Sequence, residues 1–328
     1  MKNIQADIKS GNFKQVYLLY GEEAYLKQQY KQNLVKALNP DGDTMNFNHY
    51  EGKGIDVKQL IDLCETMPFF AERRVVLLED TGFFKNKCEE LADYMKELPD
   101  YLYLVFAETE VDKRNRIYKA VKACGSIAEF IRQDEKTLMR WAAGILGKAG
   151  KKITQRDMEL LLTKTGTDMG NLRMEMEKLI SYTEGRDVVT AEDIEEICTT
   201  QTTNRIFDMV RAVTEKNQKR ALELYYDLLT LKEPPMRILF LLAKQYRQLL
   251  LAKQFAAAGL AQTEIGSKLG VPGFVVKNIT TCARAYTISE LEQAVKDFVD
   301  AEESVKTGRL EDKLSVELLI IKYSSKVK

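Results

Sequence analysis

Short apolar runs alternate with helically spaced segments over the first 133 residues of this chain, and then the alternation stops. The runs Val16 to Tyr20, Met45 to Tyr50, Arg74 to Glu79, Tyr101 to Phe106 and Ile127 to Ile131 have the length and apolar content of interior strands. Between them, Glu22 to Leu38, Asp56 to Met67, Lys85 to Leu98 and Lys113 to Ala123 carry apolar residues at helical spacing. Such an order permits few folds. It predicts a mostly parallel sheet with helices on both faces.

From Asp134 only helical periodicity remains. Asp134 and Thr137 are alternative N-caps for a helix through Trp141 to Lys148, closed by Ala149-Gly150. Further helices are expected over Thr154 to Lys164, Met169 to Thr183 and Thr190 to Cys198. Thr190-Ala191-Glu192-Asp193 opens the last of these as a capping box. A polar break, Thr199 to Asn204, precedes a longer helical segment in which Pro234-Pro235 leads into the apolar stretch Met236 to Ala258. A chain of 328 residues exceeds one comfortable core. The expected fold class is α/β plus all-α: a parallel-sheet domain over 1–133, a small helical bundle over 134–203 and a larger helical domain over 204–328.

Lys plus Arg and Asp plus Glu number 49 each, with a pI near 6.7. Dedicated nucleic-acid binders draw their affinity from an excess of basic charge, so this balance opposes that class. Two local basic clusters remain, Lys113, Arg114, Arg116, Lys119 and Lys122, and Lys148, Lys151 and Lys152. Their ordinary reading is solvated helix faces. Five cysteines at 64, 88, 124, 198 and 282 show no CxxC spacing and read as reduced thiols of a cytoplasmic protein. No apolar stretch is long enough to span a membrane, and Met1 to Ala6 does not read as a signal peptide. The one histidine, His49, rules out zinc sites built on two or more imidazoles. In the probable strand Asn46 to Tyr50 its expected role is structural.

Little catalytic chemistry survives inspection. Val16 to Tyr20 runs straight into Gly21-Glu22-Glu23-Ala24-Tyr25-Leu26-Lys27, the position of a phosphate-binding loop in nucleotide-binding α/β domains. The GxxxxGK[ST] spacing is missing. Two carboxylates stand instead at the helix N-terminus, where they suit the helix dipole and would repel a triphosphate. No cofactor, metal or catalytic residue is expected. Asp41 with Asp43 reads as a turn, and Glu108, Glu110 and Asp112 as a solvated, salt-bridged strand-end loop. Gln262 to Ile279 has the outline of a helix-turn-helix. Its second helix, however, is spent on Phe274, Val275, Val276 and Ile279, where a DNA reader needs polar side chains. A packed helical corner is the expectation.

One loop resists the bland reading. Asp56 is placed to cap a helix carrying Val57, Leu60, Ile61 and Cys64, and Pro68 disfavours helical geometry at Met67. Arg73-Arg74-Val75-Val76-Leu77-Leu78 then begins a buried strand. Met67-Pro68-Phe69-Phe70 therefore falls in a connection, and connections run over the surface. A single aromatic there is best explained by tucking back onto the core. Two in a row after a proline are better explained as an exposed docking wedge.

Four stretches together resemble the delta subunits of bacterial DNA polymerase III clamp loaders. Val16 to Leu26 (VYLLYGEEAYL) looks like that family's degenerate first loop, without the phosphate-binding lysine. Leu63 to Leu78 (LCETMPFFAERRVVLL) is similar to its helix–loop–strand with a clamp-binding hydrophobic pair. Gly166 to Leu179 (GTDMGNLRMEMEKL) looks like its middle-domain helix, and Ala301 to Leu319 (AEESVKTGRLEDKLSVELL) is similar to its C-terminal signature. The resemblance implies an ATPase-like (AAA+ type) N-terminal domain without ATPase function, a helical lid and a C-terminal helical collar. It implies docking on the sliding clamp through Phe69 and Phe70, with Met67 and Pro68 beside them, where family members often have an aliphatic residue in place of Phe69. It also implies other loader subunits, ATPase and delta-prime-like, as partners through 204–328, and a supporting role in a DNA-directed DNA polymerase assembly. The basic clusters leave room for contact with primer-template DNA. Two other classes stay open: an active ATPase of the same fold, opposed by the missing loop lysine, and a helix-turn-helix regulator, opposed by the neutral charge.

Overall fold

The computed structural model describes every residue except Met1, Thr200, Gln201, Pro272 and residues 326–328; at 2, 202–204 and 274 it describes the backbone alone. Most of the Thr199 to Asn204 break and the side chain of Phe274 thus lie outside the described residues. The chain divides into two compact units, Met1–Gln133 and Asp134–Lys328.

The first unit runs α1 (Lys2–Ser10), β1 (Val16–Tyr20), α2 (Ala24–Leu38), β2 (Phe47–Glu51), α3 (Val57–Cys64), β3 (Arg74–Glu79), α4 (Glu89–Tyr94), β4 (Leu102–Glu108), α5 (Arg116–Cys124) and β5 (Ser126–Glu129). The five strands form one parallel sheet in the order β2-β3-β4-β1-β5. Successive side chains of a strand face opposite sides, so each strand feeds two cores. Val16, Leu18, Val76, Leu78, Leu104 and Phe106 pack with Leu60 and Cys64 of α3, Leu91 of α4 and Ile117 and Val121 of α5. On the other face Tyr17, Leu19, Val75, Leu77 and Val105 pack with Ile4 of α1 and Leu34 and Leu38 of α2. α1 has no counterpart in the sequence reading, because its apolar residues Ile4 and Ile8 make only a one-turn signal. α4 is shorter than Lys85 to Leu98. The turn at Gly82 accepts hydrogen bonds from the Lys85 and Asn86 N–H groups and puts Phe83 and Phe84 into the core, so the helix begins only at Glu89.

The second unit contains α6 (Glu135–Lys148), β6 (Lys152–Ile153), α7 (Gln155–Thr165), α8 (Met169–Tyr182), β7 (Val188–Val189) and α9 (Ala191–Ile197). Its remaining helices are α10 (Thr202–Thr214), α11 (Gln218–Thr230), α12 (Pro235–Ala257), α13 (Gln262–Leu269), α14 (Gly273–Ala283), α15 (Ile288–Lys306) and α16 (Asp312–Ser324). The caps are largely those the sequence marks. Asp134 accepts from Thr137 N–H at 2.7 Å, and Thr190 with Asp193 forms the capping box. The expectation of helices alone needs correction: β6 and β7 pair in parallel through Lys152 with Val188 and Ile153 with Val189. Two residues per strand leave no periodicity to read. Apolar residues of α6 to α9 make one cluster, and those of α10 to α16 make another. Gly270, at φ 64°, turns α13 into α14, and Ile265, Val276 and Ile279 are buried in the second cluster. That is a packed corner.

Candidate docking loop

The connection from α3 to β3 is held from below by polar side chains and presents its apolar ones to solvent. Asp56 caps α3, accepting from Lys58 N–H at 2.9 Å and Gln59 N–H at 3.2 Å. The helix ends at Cys64, three residues before the Met67 limit set by Pro68. The carbonyls of the residues just past its end are taken up by side chains. Tyr101 Oη donates to Glu65 O at 2.8 Å. Arg74 Nε donates to Thr66 O at 2.8 Å and Arg74 Nη2 to Met67 O at 3.3 Å, while Nη1 reaches Asn48 Oδ1 at 3.1 Å. A cation near a helix C-terminus is also favoured by the helix dipole.

Asn46, just ahead of β2, holds the next part of the loop. Its Oδ1 accepts from Phe69 N–H at 2.6 Å and its Nδ2 donates to Phe69 O at 2.8 Å. Nδ2 also donates to Asp43 Oδ2 at 2.5 Å, and the Asn46 carbonyl accepts from Val75 N–H at 2.9 Å. The hydrogen bond from Asn46, followed by that from Met45 N–H, holds the Asp43 carboxyl below its usual range. Arg73 closes the loop by lying over the rings of Phe13 and Tyr103, 5.3 and 5.4 Å from their centroids.

Against that backing, Met67 is 74 %, Phe69 56 % and Phe70 95 % exposed, with Pro68 half-buried. The two phenyl rings meet edge to face, centroids 4.5 Å apart. Phe70 has φ 49°, a left-handed conformation that bulky residues rarely adopt. Beside it a cleft of about 560 Å³ opens toward the turn after α2, lined by Leu38, Pro40, Asn46, Phe70, Arg73 and Val75. The sequence pattern marks the four loop residues but not Asn46, Arg73, Arg74 or Tyr101. The available signals were a buried-strand run that begins with two arginines and an asparagine beside Asp43 at the start of another strand.

The loop lies at the end where β3 begins. At the other end of the sheet, Gly21, Glu22 and Glu23 follow β1. Gly21 has φ 122°, and a Cβ there would stand 2.3 Å from Phe130 O. The Glu23 N–H is already given to Phe130 O at 2.9 Å. Two lysines of α2 point toward the same end of the sheet: Lys27 Nζ donates to Glu108 O at 2.9 Å, and Lys31 pairs with Glu79 at 2.5 Å. His49 Nε2 lies 2.9 Å from the other oxygen of Glu79. Glu108 needs correction from a solvated residue to a buried one: it accepts from Thr81 N–H and Oγ1 at 3.1 and 2.5 Å and from Gly82 N–H at 3.4 Å. Burial raises its pKa, against the hydrogen bonds from Thr81 and Gly82. Among the described residues no group of three or more His, Cys, Asp or Glu is arranged to hold a metal, and no helix is long and apolar enough to cross a membrane.

In the basic clusters, Lys113 pairs with Glu129, Arg114 with Asp112 and Arg116 with Asp93. Lys151 donates to the carbonyls of Thr183 and Arg186, both at 2.7 Å. These cations have protein partners.

Comparison with known proteins covers both units. The family model of the DNA polymerase III delta subunit matches residues 17–130, and that of the delta subunit's C-terminal domain matches residues 203–323. The chain is 26% identical over 332 residues to the DNA polymerase III subunit delta of Bacillus subtilis (strain 168), covering 97% of this chain and 95% of that one. It is 22% identical over 276 residues to a probable DNA polymerase III subunit delta of Aquifex aeolicus (strain VF5), covering 80% of this chain and 77% of the relative. A solved structure of a Bacillus subtilis DNA clamp loader delta protein has the same fold, with a TM-score of 0.68, 24% identity and 99% of each chain covered.

Proposed function

The chain belongs to the delta-subunit family of DNA polymerase III, which serves DNA replication, and from that premise we propose that it is the clamp loader's non-catalytic docking subunit. Phe69 and Phe70, flanked by Met67 and Pro68, enter an apolar pocket on the ring-shaped sliding clamp. Binding energy available only with the open or relaxed ring shifts the clamp toward that state. ATP hydrolysis belongs to partner subunits, which meet this chain through residues 204–328, with 134–203 as a small helical lid domain. The observation that carries the reading is Phe70, 95 % exposed on a loop whose backbone is tied down on both sides. Apolar anchors on rigid supports are what interface hot spots are made of.

The test is the full chain with Phe69→Ala and Phe70→Ala together, measured against a purified bacterial sliding clamp. Truncating a hot-spot aromatic costs on the order of 2 kcal/mol. Two such losses should weaken binding roughly a hundredfold or more, at about 1.4 kcal/mol per decade. Melting should hardly change, since buried phenylalanines would instead cost about 3 to 5 kcal/mol each. Unchanged clamp affinity, or a large drop in melting temperature, sinks the proposal.

A further inference from the structure

We infer that Asn46 is the positioning residue of the docking loop, the group that holds Phe69 and Phe70 in the conformation the clamp meets. The inference rests on the docking reading above. Asn46 is buried, unlike the aromatics it serves, and lies 23 residues before Phe69 in the chain. Its side-chain amide contacts the peptide groups on both sides of Phe69 Cα, accepting from the N–H and donating to the C=O. A neighbouring strand's peptide would offer the same pair of contacts, so Asn46 extends the edge of β2 into the loop by one side chain. The chemistry is specific. Asp has no donor for the carbonyl, Ser is too short to reach both groups, and Gln adds a methylene that misplaces them.

The anchor is itself anchored. Asp43 takes the second Nδ2 hydrogen and so fixes the orientation of the amide, while Val75 N–H, bonded to the Asn46 main-chain carbonyl, fixes the backbone that carries it. Directly after the clamped residue comes Phe70, with left-handed backbone and a solvent-facing ring. Strain of that kind persists only where the surroundings over-determine it. Asn46 on Phe69 and Arg73 on the rings of Phe13 and Tyr103 bracket Phe70 from either side. With Asn46 gone, the loop relaxes into conformers that no longer present both rings together. Affinity then falls by the fraction of time the competent conformer is lost.

The experiment is a double-mutant cycle on the full chain, with clamp binding and thermal unfolding read for each member. Asn46→Ala should weaken clamp binding about tenfold, as when the competent conformer falls to roughly a tenth of the population. In the Phe69→Ala, Phe70→Ala background the same change should have no further effect, because no rings remain to position. Asn46→Asp, which keeps size and one of the two contacts, carries the test if the alanine variant fails to fold; it should show the same loss and the same coupling. Wild-type affinity in a folded Asn46 variant, while the double aromatic variant binds weakly, overturns the positioning role and leaves the docking reading standing. So does a tenfold loss that persists undiminished in the aromatic-free background. If the double aromatic variant itself binds normally, the docking reading has failed and this inference falls with it.

Discussion

Phe70 combines solvent exposure, an apolar ring and a left-handed backbone. For L-residues that conformation costs roughly 1–2 kcal/mol, and nothing in the first unit's core is gained by it. The compensation lies in neighbours that fix the loop: Asn46, Arg73, Arg74 and Tyr101. Asp43 belongs to the same set, and its titration gives a prediction. Hydrogen bonds from Asn46 and then Met45 hold its carboxyl below the ordinary value of 3.8. A group with a depressed folded pKa lends stability above its unfolded pKa and loses it as pH falls through the folded one. The melting difference between wild type and Asp43→Asn should therefore be constant from about pH 5 to 8 and close below about pH 4. A difference that widens on acidification contradicts the assigned contact.

At the carboxyl end of the sheet, α2 and the turn before it oppose phosphate binding. In doubly wound sheets ligands bind beyond the carboxyl ends of the strands, which here means the region after Tyr20, Glu79 and Glu108. Gly21 is pressed against the Phe130 carbonyl, and Lys27 and Lys31 are engaged by Glu108 O and Glu79. A phosphate cradle needs free backbone N–H groups and an available cation. The full chain titrated with Mg-ATP should show no saturable thermal shift, whereas a ligand at 100 times its Kd would add roughly 2.7 kcal/mol. A clear shift would mean that this end of the sheet still binds nucleotide.

At the scale of the molecule, both apolar clusters of the first unit lie wholly within residues 1–133. A fragment of those residues should melt cooperatively on its own and keep measurable clamp binding. In the second unit, α12 buries Ile238, Leu239, Leu242, Tyr246 and Leu249 yet leaves Phe240 62 % exposed. Apolar residues over more than one face suit a helix covered by more than its own core. Deleting 204–328 should leave the first unit folded but unable to co-elute with the other loader subunits in size exclusion. Normal co-elution of the truncated chain would remove the collar role from this segment.

Apart from α1 and the late start of α4, the strand and helix pattern of residues 1–133 was legible from the sequence because its signals are local. β1 and β3 are continuous apolar runs buried on both faces, and the caps at Asp56, Asp134 and Thr190 announce themselves within three residues of the N–H groups they serve. The exposure of the loop after α3 was legible for the same reason, since a proline and the start of a buried strand bracket Phe69 and Phe70. Tertiary structure decided what depends on residues distant in the chain. The strand order, the burial of Glu108 by Thr81 and Gly82, the two-residue pairing of β6 with β7, and the hold of Asn46 on Phe69 all join groups well apart in sequence. A hydrogen bond between residues 23 apart leaves no periodicity in the chain. It exists only once β2 and β3 lie side by side.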